Sequence, residues 1–393
     1  MRHAAIAKTS TLSTAVLLGA GLLAAAMALA LPARAQDVED TAQKLKQQHL
    51  KSVGSRADRQ FYDPKRFDLS DLPAYTPGQQ VSGTIRIGRA KYLRTGSVME
   101  TWEKAFKQHH PGITFEHSEH GLGAGEVDIV QQRGYTFGEW QEAMLVQGHY
   151  PLEIEMATGS YNVPGWTPAF SIFVNKNNPI KGLTLGQLDG IFGGARRGGF
   201  EKTVWNPAAA RGRDKNIRTW GQLGLTGDWA KQEINPNGRP LKYHIQLYFE
   251  RKVFNGGSIW NENLREWAHE LKSDGTRALS SVTMVGAVGE DPYGIVYADL
   301  ASSIPEVKLL PIARDANSPF VELNLDTLRT REYPLFLEVY LYANREPGKP
   351  LDPKIEEFLR FVLSREGQQA IADDAKWLPL TRKVVDQQLH KLD

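Results

Sequence analysis

The chain has 393 residues, of which 41% are hydrophobic and 23% charged, so it is long enough to bury a sizeable core. That length predicts two or three folding units. Cysteine is absent, which excludes disulfides, thiolate metal sites and a lipid-modified N-terminal cysteine. The 47 Lys and Arg residues nearly balance the 45 Asp and Glu residues, so we expect no nucleic-acid partner.

Residues 1–35 have the pattern of a secretory signal peptide. Arg2 and Lys8 make a positive start, and residues 15–31 form an uncharged apolar run. Residues 33–35 (Ala-Arg-Ala) then provide a small-x-small cleavage site. The alternative is an uncleaved membrane anchor, because the run approaches the ~20 residues that span a bilayer. The Ala/Gly richness and the cleavage site favour removal, so we expect the mature protein outside the cytoplasm.

Residues 36–80 are charged and, at their start, poor in large apolar side chains. Residues 40–51 are compatible with a solvated helix, and residues 68–73 have the composition of a loop. We therefore expect an exposed N-terminal extension that serves as a spacer.

The stretch from 83 to 133 opens with a strand, a polar turn and a helix. Apolar and polar residues alternate at 84–88, and a helical pattern with one apolar face begins at Val98. Ser97 occupies the N-cap position between them. Free N–H groups and the helix dipole make such a helix N-terminus suited to an anion, although many turns of this kind only cap a helix.

Strands and helices alternate along the rest of the chain. Strands are predicted at 113–116 and 127–130, followed by a helix at 136–147, and this βαβ series predicts an α/β fold with parallel strands. Further elements are expected as strands at 170–175, 294–297, 307–312 and 334–342, a helix from about 183 capped by Thr184, and an amphipathic helix at 351–371.

Several motifs, taken in order, resemble those of the PstS-like phosphate-binding proteins of ABC transporters. They are VSGTIRI at 81–87, Trp102 with Phe106 and HP at 110–111, VDI at 127–129, NKNNP at 175–179 with LTLGQL at 183–188 and IF at 191–192, WGQLG at 220–224, and LSREGQ at 363–368. The resemblance covers residues 81–380. No single motif is decisive, but their order is specific.

The resemblance implies a type II periplasmic binding fold, an α/β architecture of two domains with a cleft that closes around a ligand. Domain 1 would combine 81–170 with 315–385, and domain 2 would span 171–314. The implied function is a periplasmic solute-binding protein that binds phosphate or a related oxyanion for an ABC permease in the inner membrane. Neither a cofactor nor a metal nor an enzymatic activity is implied.

In this family, backbone N–H groups, hydroxyls and an Arg hold phosphate, and an Asp accepts its proton. The resemblance maps the first donor turn onto Thr95, Gly96 and Ser97, with Ser97 as the strongest candidate. Asp128 resembles the family's Asp and Arg133 its Arg, although Gln132 precedes Arg133 where the family has Ser. The structural alternatives are a plain N-cap at Ser97 and an ion pair between Asp128 and Arg133.

The second donor turn departs from the family. Where the family has an R.SGT-like turn, residues 242–249 lack the Gly and the small hydroxyls, and the family's GSG stretch is altered at 121–125. Tyr243, His244 and Gln246 could contact a different ligand, or simply fill space. The alternative function is therefore a binding fold reused as a sensor or a protein-interaction module that does not bind phosphate.

Two further groups of residues have alternative readings. His109, His110, His117, Glu119 and His120 form the only metal-like cluster in the sequence, but their spacing suits a solvated surface better than a metal site. Arg196–Arg197, between glycines, could steer an anion or simply solvate a loop. The sequence has no Gly-x-Ser-x-Gly elbow, phosphate loop or HExxH motif, so we expect no enzyme.

Overall fold

The computed structural model describes residues 59–88, 91–118, 127–133, 150–160, 163, 169–201, 204–240 and 243–393, with Asp40, Gln43, Lys44, Gln47 and Gln48. The chain divides into two compact units, 1–52 with 271–277, and 53–270 with 278–393. Within the first, the Gln48 amide donates to the Gly275 carbonyl at 3.2 Å. The predicted signal peptide, the glycine loop at 121–125 and the helix at 136–147 lie outside the described residues. No described helix is both long and apolar enough to cross a bilayer.

The strands and helices are numbered in chain order. The strands are β1 (Ser82–Gly88), β2 (Gly112–Ser118), β3 (Ile129–Arg133), β4 (Pro151–Thr158), β5 (Ser171–Asn175), β6 (Leu183–Thr184), β7 (Gly199–Glu201), β8 (Val204–Asn206), β9 (Asn235–Gly238), β10 (Arg265–Glu266), β11 (Glu270–Leu271), β12 (Arg277–Ala278), β13 (Gly294–Ala298), β14 (Val307–Leu309), β15 (Ile312–Ala313) and β16 (Glu338–Asn344). The helices are α1 (Lys91–Arg94), α2 (Val98–His109), α3 (Leu185–Phe192), α4 (His244–Val253), α5 (Ser280–Glu290), α6 (Leu325–Arg329), α7 (Pro353–Leu363), α8 (Arg365–Asp374) and α9 (Arg382–Leu389).

The first five-stranded sheet has the order β2-β1-β3-β16-β4. Strands β2 and β3 run parallel to β1, which confirms the predicted parallel pairing. Strand β16 comes from far along the chain and lies antiparallel to both β3 and β4. The sheet is therefore mixed. Only β1, β2 and β3 match the prediction of parallel strands.

The second five-stranded sheet has the order β10-β9-β13-β5-β14. Strand β13 is parallel to β9 and antiparallel to β5. Helix α3 follows β6 as predicted, because the Thr184 hydroxyl accepts from the Gln187 N–H at 3.1 Å while the Gln187 side chain accepts from the Thr184 N–H at 2.9 Å. This reciprocal capping box satisfies two N–H groups that the helix leaves unpaired.

The single amphipathic helix predicted at 351–371 is wrong, because two helices, α7 and α8, meet at Ser364. Ser364 has an extended backbone, with φ −74° and ψ 170°, and its hydroxyl accepts from the Gly367 N–H at 3.2 Å. A Cβ at Gly367 would overlap the Phe361 carbonyl oxygen. The apolar pattern continues through the break, so periodicity alone does not reveal it.

The expected exposed extension is also wrong for residues 61–75, because this segment belongs to the core. Its apolar side chains are buried: Tyr62, Phe67, Leu69, Leu72 and Tyr75. The Phe61 N–H donates to the Ala375 carbonyl at 3.1 Å, and the Arg365 N–H donates to the Pro73 carbonyl at 2.8 Å. The prediction rested on the charged residues at the start of the extension and did not weigh the aromatic residues near its end. The predicted domain boundaries stay a prediction.

Candidate functional site

The first predicted donor turn contacts a carboxylate of the protein itself. Ser97 precedes α2 but has helical backbone angles, φ −92° and ψ −10°, and its hydroxyl makes no capping bond. Its N–H and Oγ instead donate to Oδ1 of Asp374, at 2.7 and 3.0 Å. A Cβ at Gly96 would overlap the same oxygen, so the turn needs glycine there. Ser97 is thus the N-cap residue of α2 by position, as the alternative predicted, but its side chain does not cap the helix.

Asp374 is also paired with Lys376, whose Nζ lies 3.0 Å from Oδ1. Both side chains are deeply buried, with 2% of Asp374 and 3% of Lys376 exposed. The positive end of a helix favours an anion, and here Asp374 supplies it. A ligand role for Thr95, Gly96 and Ser97 stays a prediction, and it requires that Asp374 be displaced.

Asp128 holds β3 against β1. Its Oδ2 accepts from the Arg86 N–H at 2.8 Å, and its own N–H donates to the Arg86 carbonyl at 2.8 Å. Arg133 lies at the other end of β3, roughly 16 Å away at the usual rise of a strand. The side chain of Arg133 lies outside the description, so the alternative of an ion pair between Asp128 and Arg133 stays a prediction. The backbones of Gln132 and Arg133 pair with β16, and ligand roles for these three residues stay predictions.

The residues of the second predicted donor turn differ in burial, since Tyr243 is partly exposed and Gln246 is buried. Tyr243 stands at the N-cap of α4, and its hydroxyl accepts from the His269 N–H at 2.7 Å. Gln246 is fully buried, and its side-chain oxygen accepts from the Tyr297 hydroxyl. Gln246 thus packs in the core, which favours the space-filling alternative, and its role as a ligand contact stays a prediction. His244 begins α4, and its side chain lies outside the description.

The sequence analysis missed Arg239, which directly follows β9. Its Nε donates to the Ser280 hydroxyl at 3.1 Å, and its N–H donates to the Tyr297 hydroxyl at 3.3 Å. The Ser280 N–H donates to Nδ1 of His269 at 3.0 Å. Among the described residues, nothing bonds to the terminal amino groups of Arg239. We call Arg239, Tyr243, His269 and Ser280 the Arg239 cluster; the signal for it was an Arg placed directly after a strand.

The Arg239 cluster has the electrostatics of an anion site. Helices α4 and α5 both begin at it, so two sets of unpaired N–H groups and two positive helix ends meet a guanidinium. None of its four side chains is acidic. It lies at the carboxyl ends of the parallel strands β9 and β13, the edge at which α/β sheets bind ligands. A guanidinium fixed through Nε keeps two amino groups for bidentate contact with an oxyanion.

A second group of charged residues ties α4 to the first sheet. The Lys252 ammonium lies 2.7 Å from the Glu338 carboxylate, and Arg331 pairs with the buried Glu155. Burial raises the pKa of both carboxyls and lowers the pKa of Lys252 to about 7. Lys252 also lies 3.9 Å from the centre of the Phe336 ring. These groups are paired with each other, so they tie α4 to the first sheet, and neither Lys252 nor Arg331 is left as a free cation for a ligand.

The remaining candidate groups are structural. His117 pairs with Glu103 at 2.7 Å, and no group of three His, Asp or Glu that could hold a metal occurs among the described residues. Glu119 and His120 lie outside that description. Arg196 is buried and bonds both oxygens of Asp189, at 2.7 and 2.6 Å. Both readings of the Arg196–Arg197 pair are therefore corrected for Arg196, whereas for the exposed Arg197 they stay predictions.

Two mixed five-stranded sheets, between which the chain crosses from β4 to β5 and again from β14 to β16, define an α/β protein of the type II periplasmic binding class. The family model described as PBP superfamily domain matches residues 79–366, well over half of the chain. The chain belongs to this superfamily.

Similar proteins carry the following names. Phosphate-binding protein PstS of Pseudomonas aeruginosa is 29% identical over 321 residues, which are 82% of this chain and 90% of that protein. An ABC-type phosphate transport receptor from Vibrio cholerae is 16% identical with a TM-score of 0.45, covering 75% of this chain and 100% of that one. PstS from Borrelia burgdorferi is 13% identical with a TM-score of 0.45, covering 76% and 100%.

Proposed function

We propose that this protein is a periplasmic solute-binding protein that captures phosphate, or a related small oxyanion, and presents it to an ABC permease in the inner membrane. The observation that carries the proposal is Arg239, held through Nε on Ser280 between the N-termini of α4 and α5. The name of the Pseudomonas relative, aligned over most of both chains, supports phosphate as the ligand.

In this proposal the protein binds its ligand by charge and by hydrogen bonding. Arg239 neutralises the oxyanion and contacts two of its oxygens, while N–H groups at the start of α4 and α5 donate to the others. The hydroxyl of Tyr243 and the backbone of His244 border the same place. Asp128 would accept the proton that distinguishes hydrogen phosphate from sulfate. No covalent step occurs, so the protein acts as a binder and not as an enzyme.

The test is isothermal titration of the mature protein with phosphate at fixed pH and salt. We expect micromolar or tighter affinity, about −8 kcal/mol. Arg239→Gln should weaken it at least about 50-fold, because a charge-assisted bidentate contact is lost. The matched control is Arg197→Gln, an exposed Arg with no ion pair in the described part of the chain, which should bind as the wild type does. Equal affinity of Arg239→Gln and wild type would overturn the assignment.

The second candidate function is a sensor or interaction module that does not bind phosphate. The observation that favours it is Asp374, which satisfies the first donor turn from within the protein. Phosphate and sulfate titrations separate the two functions. A phosphate preference that Asp128→Asn weakens supports transport, whereas no heat and no thermal shift at millimolar phosphate supports the sensor or interaction role.

A further inference from the structure

Strands β7 and β8 form a short hairpin with three exposed apolar side chains. Phe200, Val204 and Trp205 are 56%, 68% and 50% exposed, and the Phe200 and Trp205 rings meet edge to face with centroids 5.2 Å apart. Seven large apolar side chains are exposed in the described part of the chain, and three of them lie on this hairpin. Such a concentration indicates a contact surface, since single exposed apolar residues are ordinary.

The hairpin is held in place by the residues beneath it. The Phe200 N–H donates to the Gly256 carbonyl at 2.8 Å. Arg196, just before the hairpin, donates to the Ala209 and Phe254 carbonyls at 2.7 and 2.9 Å. A Cβ at Gly198 would overlap the Trp205 ring. The aromatic side chains therefore stand on a fixed base, and a partner would not have to order the backbone on binding.

The surroundings of the hairpin are strongly basic. Residues 193–218 contain seven Lys and Arg against two Asp and Glu. Three of the seven pair with acids outside this range, since Arg196 and Arg211 contact Asp189 and Arg218 contacts Glu262. The surface around the hairpin nevertheless keeps a net positive charge. Arg197 and Arg213 are exposed, and neither forms an ion pair with a described residue. A partner of this surface must be anionic.

We propose that the hairpin and its basic rim form a docking surface for an anionic phospholipid bilayer. Trp and Phe favour the membrane interface, and Arg side chains beside them attract acidic headgroups. The size of the apolar surface decides against a protein partner. Three half-exposed side chains offer about 300 Å², whereas a stable protein interface needs about 800 Å² on each side. The hairpin lies apart in sequence from the Arg239 cluster, so both surfaces can be tested independently.

The test is co-sedimentation of the full mature chain with vesicles of phosphatidylcholine alone or mixed with phosphatidylglycerol. We expect binding only to the mixed vesicles, and loss of it near 1 M salt, where the screening length is about 3 Å. Phe200→Ser with Trp205→Ser should lower partitioning at least about tenfold. Arg197→Gln with Arg213→Gln should lower it and flatten its salt dependence.

The matched control is Phe320→Ser, since Phe320 is 53% exposed elsewhere in the chain; its vesicle binding should equal that of the wild type. Thermal unfolding and phosphate titration of every variant separate loss of docking from loss of fold or of ligand binding. Three results would overturn the proposal: wild-type protein left in the supernatant with both vesicles, equal binding to neutral vesicles, or unchanged binding by the aromatic variant. Binding to an acidic protein without binding to lipid would also overturn it.

Discussion

Replacing Asp374 by Asn tests a buried carboxylate that bonds the start of α2 and pairs with Lys376 just past the end of α8. The carboxylate accepts from the Ser97 N–H, the Ser97 hydroxyl and the Lys376 ammonium, all within 3.0 Å. An amide oxygen can still accept from Ser97, but the substitution removes the negative charge that faces the buried Lys376 ammonium. Removing one partner of such a pair costs about 3–5 kcal/mol. We therefore expect Asp374→Asn to lower the free energy of unfolding by at least about 3 kcal/mol.

Urea unfolding followed by circular dichroism measures this change. The neighbouring Asp373 is exposed, and among the described residues its carboxylate accepts only from the exposed Gln369 side chain, so Asp373→Asn should change stability by less than about 0.5 kcal/mol. Adding Lys376→Met to Asp374→Asn removes the buried ammonium as well and should restore much of the loss. A cost below about 1 kcal/mol for the single variant, or no recovery in the double variant, would refute the reasoning.

Two further predictions concern stability. Burial raises the pKa of Glu250 from 4.5 to about 7, so the folded protein binds more protons than the unfolded chain in that range. Stability should fall by up to about 3 kcal/mol as the pH rises from 4.5 to 7, and Glu250→Gln should flatten this slope in unfolding curves at each pH; an unchanged slope would contradict it. Gly96→Ala places a methyl group against Asp374 and should cost about 1–3 kcal/mol, whereas Gly186→Ala, with room inside α3, should stabilise by about 1 kcal/mol. Thermal unfolding compares the two, and equal shifts would exclude the steric argument.

Local sequence patterns predicted those strands and helices that are determined by residues close together in sequence. Alternation at 84–88 and the reciprocal bonds of Thr184 and Gln187 act over a few residues, and both were found as predicted. The break at Ser364 escaped prediction because the apolar stripe continues across it. Periodicity indicates which residues face the core, but it does not indicate whether they lie on one continuous helix or on two successive helices.

The candidate site depended on contacts between distant parts of the chain. Ser97 and Asp374 are 277 residues apart, so the sequence near Ser97 does not predict that a carboxylate accepts hydrogen bonds from it. Arg239 and Ser280 are 41 residues apart in sequence. Their hydrogen bond contributes to an anion site only because Ser280 begins helix α5. Motif resemblance recovered the architecture, because core residues follow local periodicity. The ligand contacts that it implies stay predictions, since a few side chains decide those.

The position of β16 between β3 and β4 has a consequence for the time at which the protein folds. Until residues 338–344 have emerged, β3 and β4 have no shared neighbour, and the first sheet stays split. The helices that cover the segment at 61–75 come later still. Contacts of such long sequence separation form slowly. In the export across a membrane that the proposed function implies, this order of assembly keeps the leading part of the chain unfolded until the trailing part has arrived.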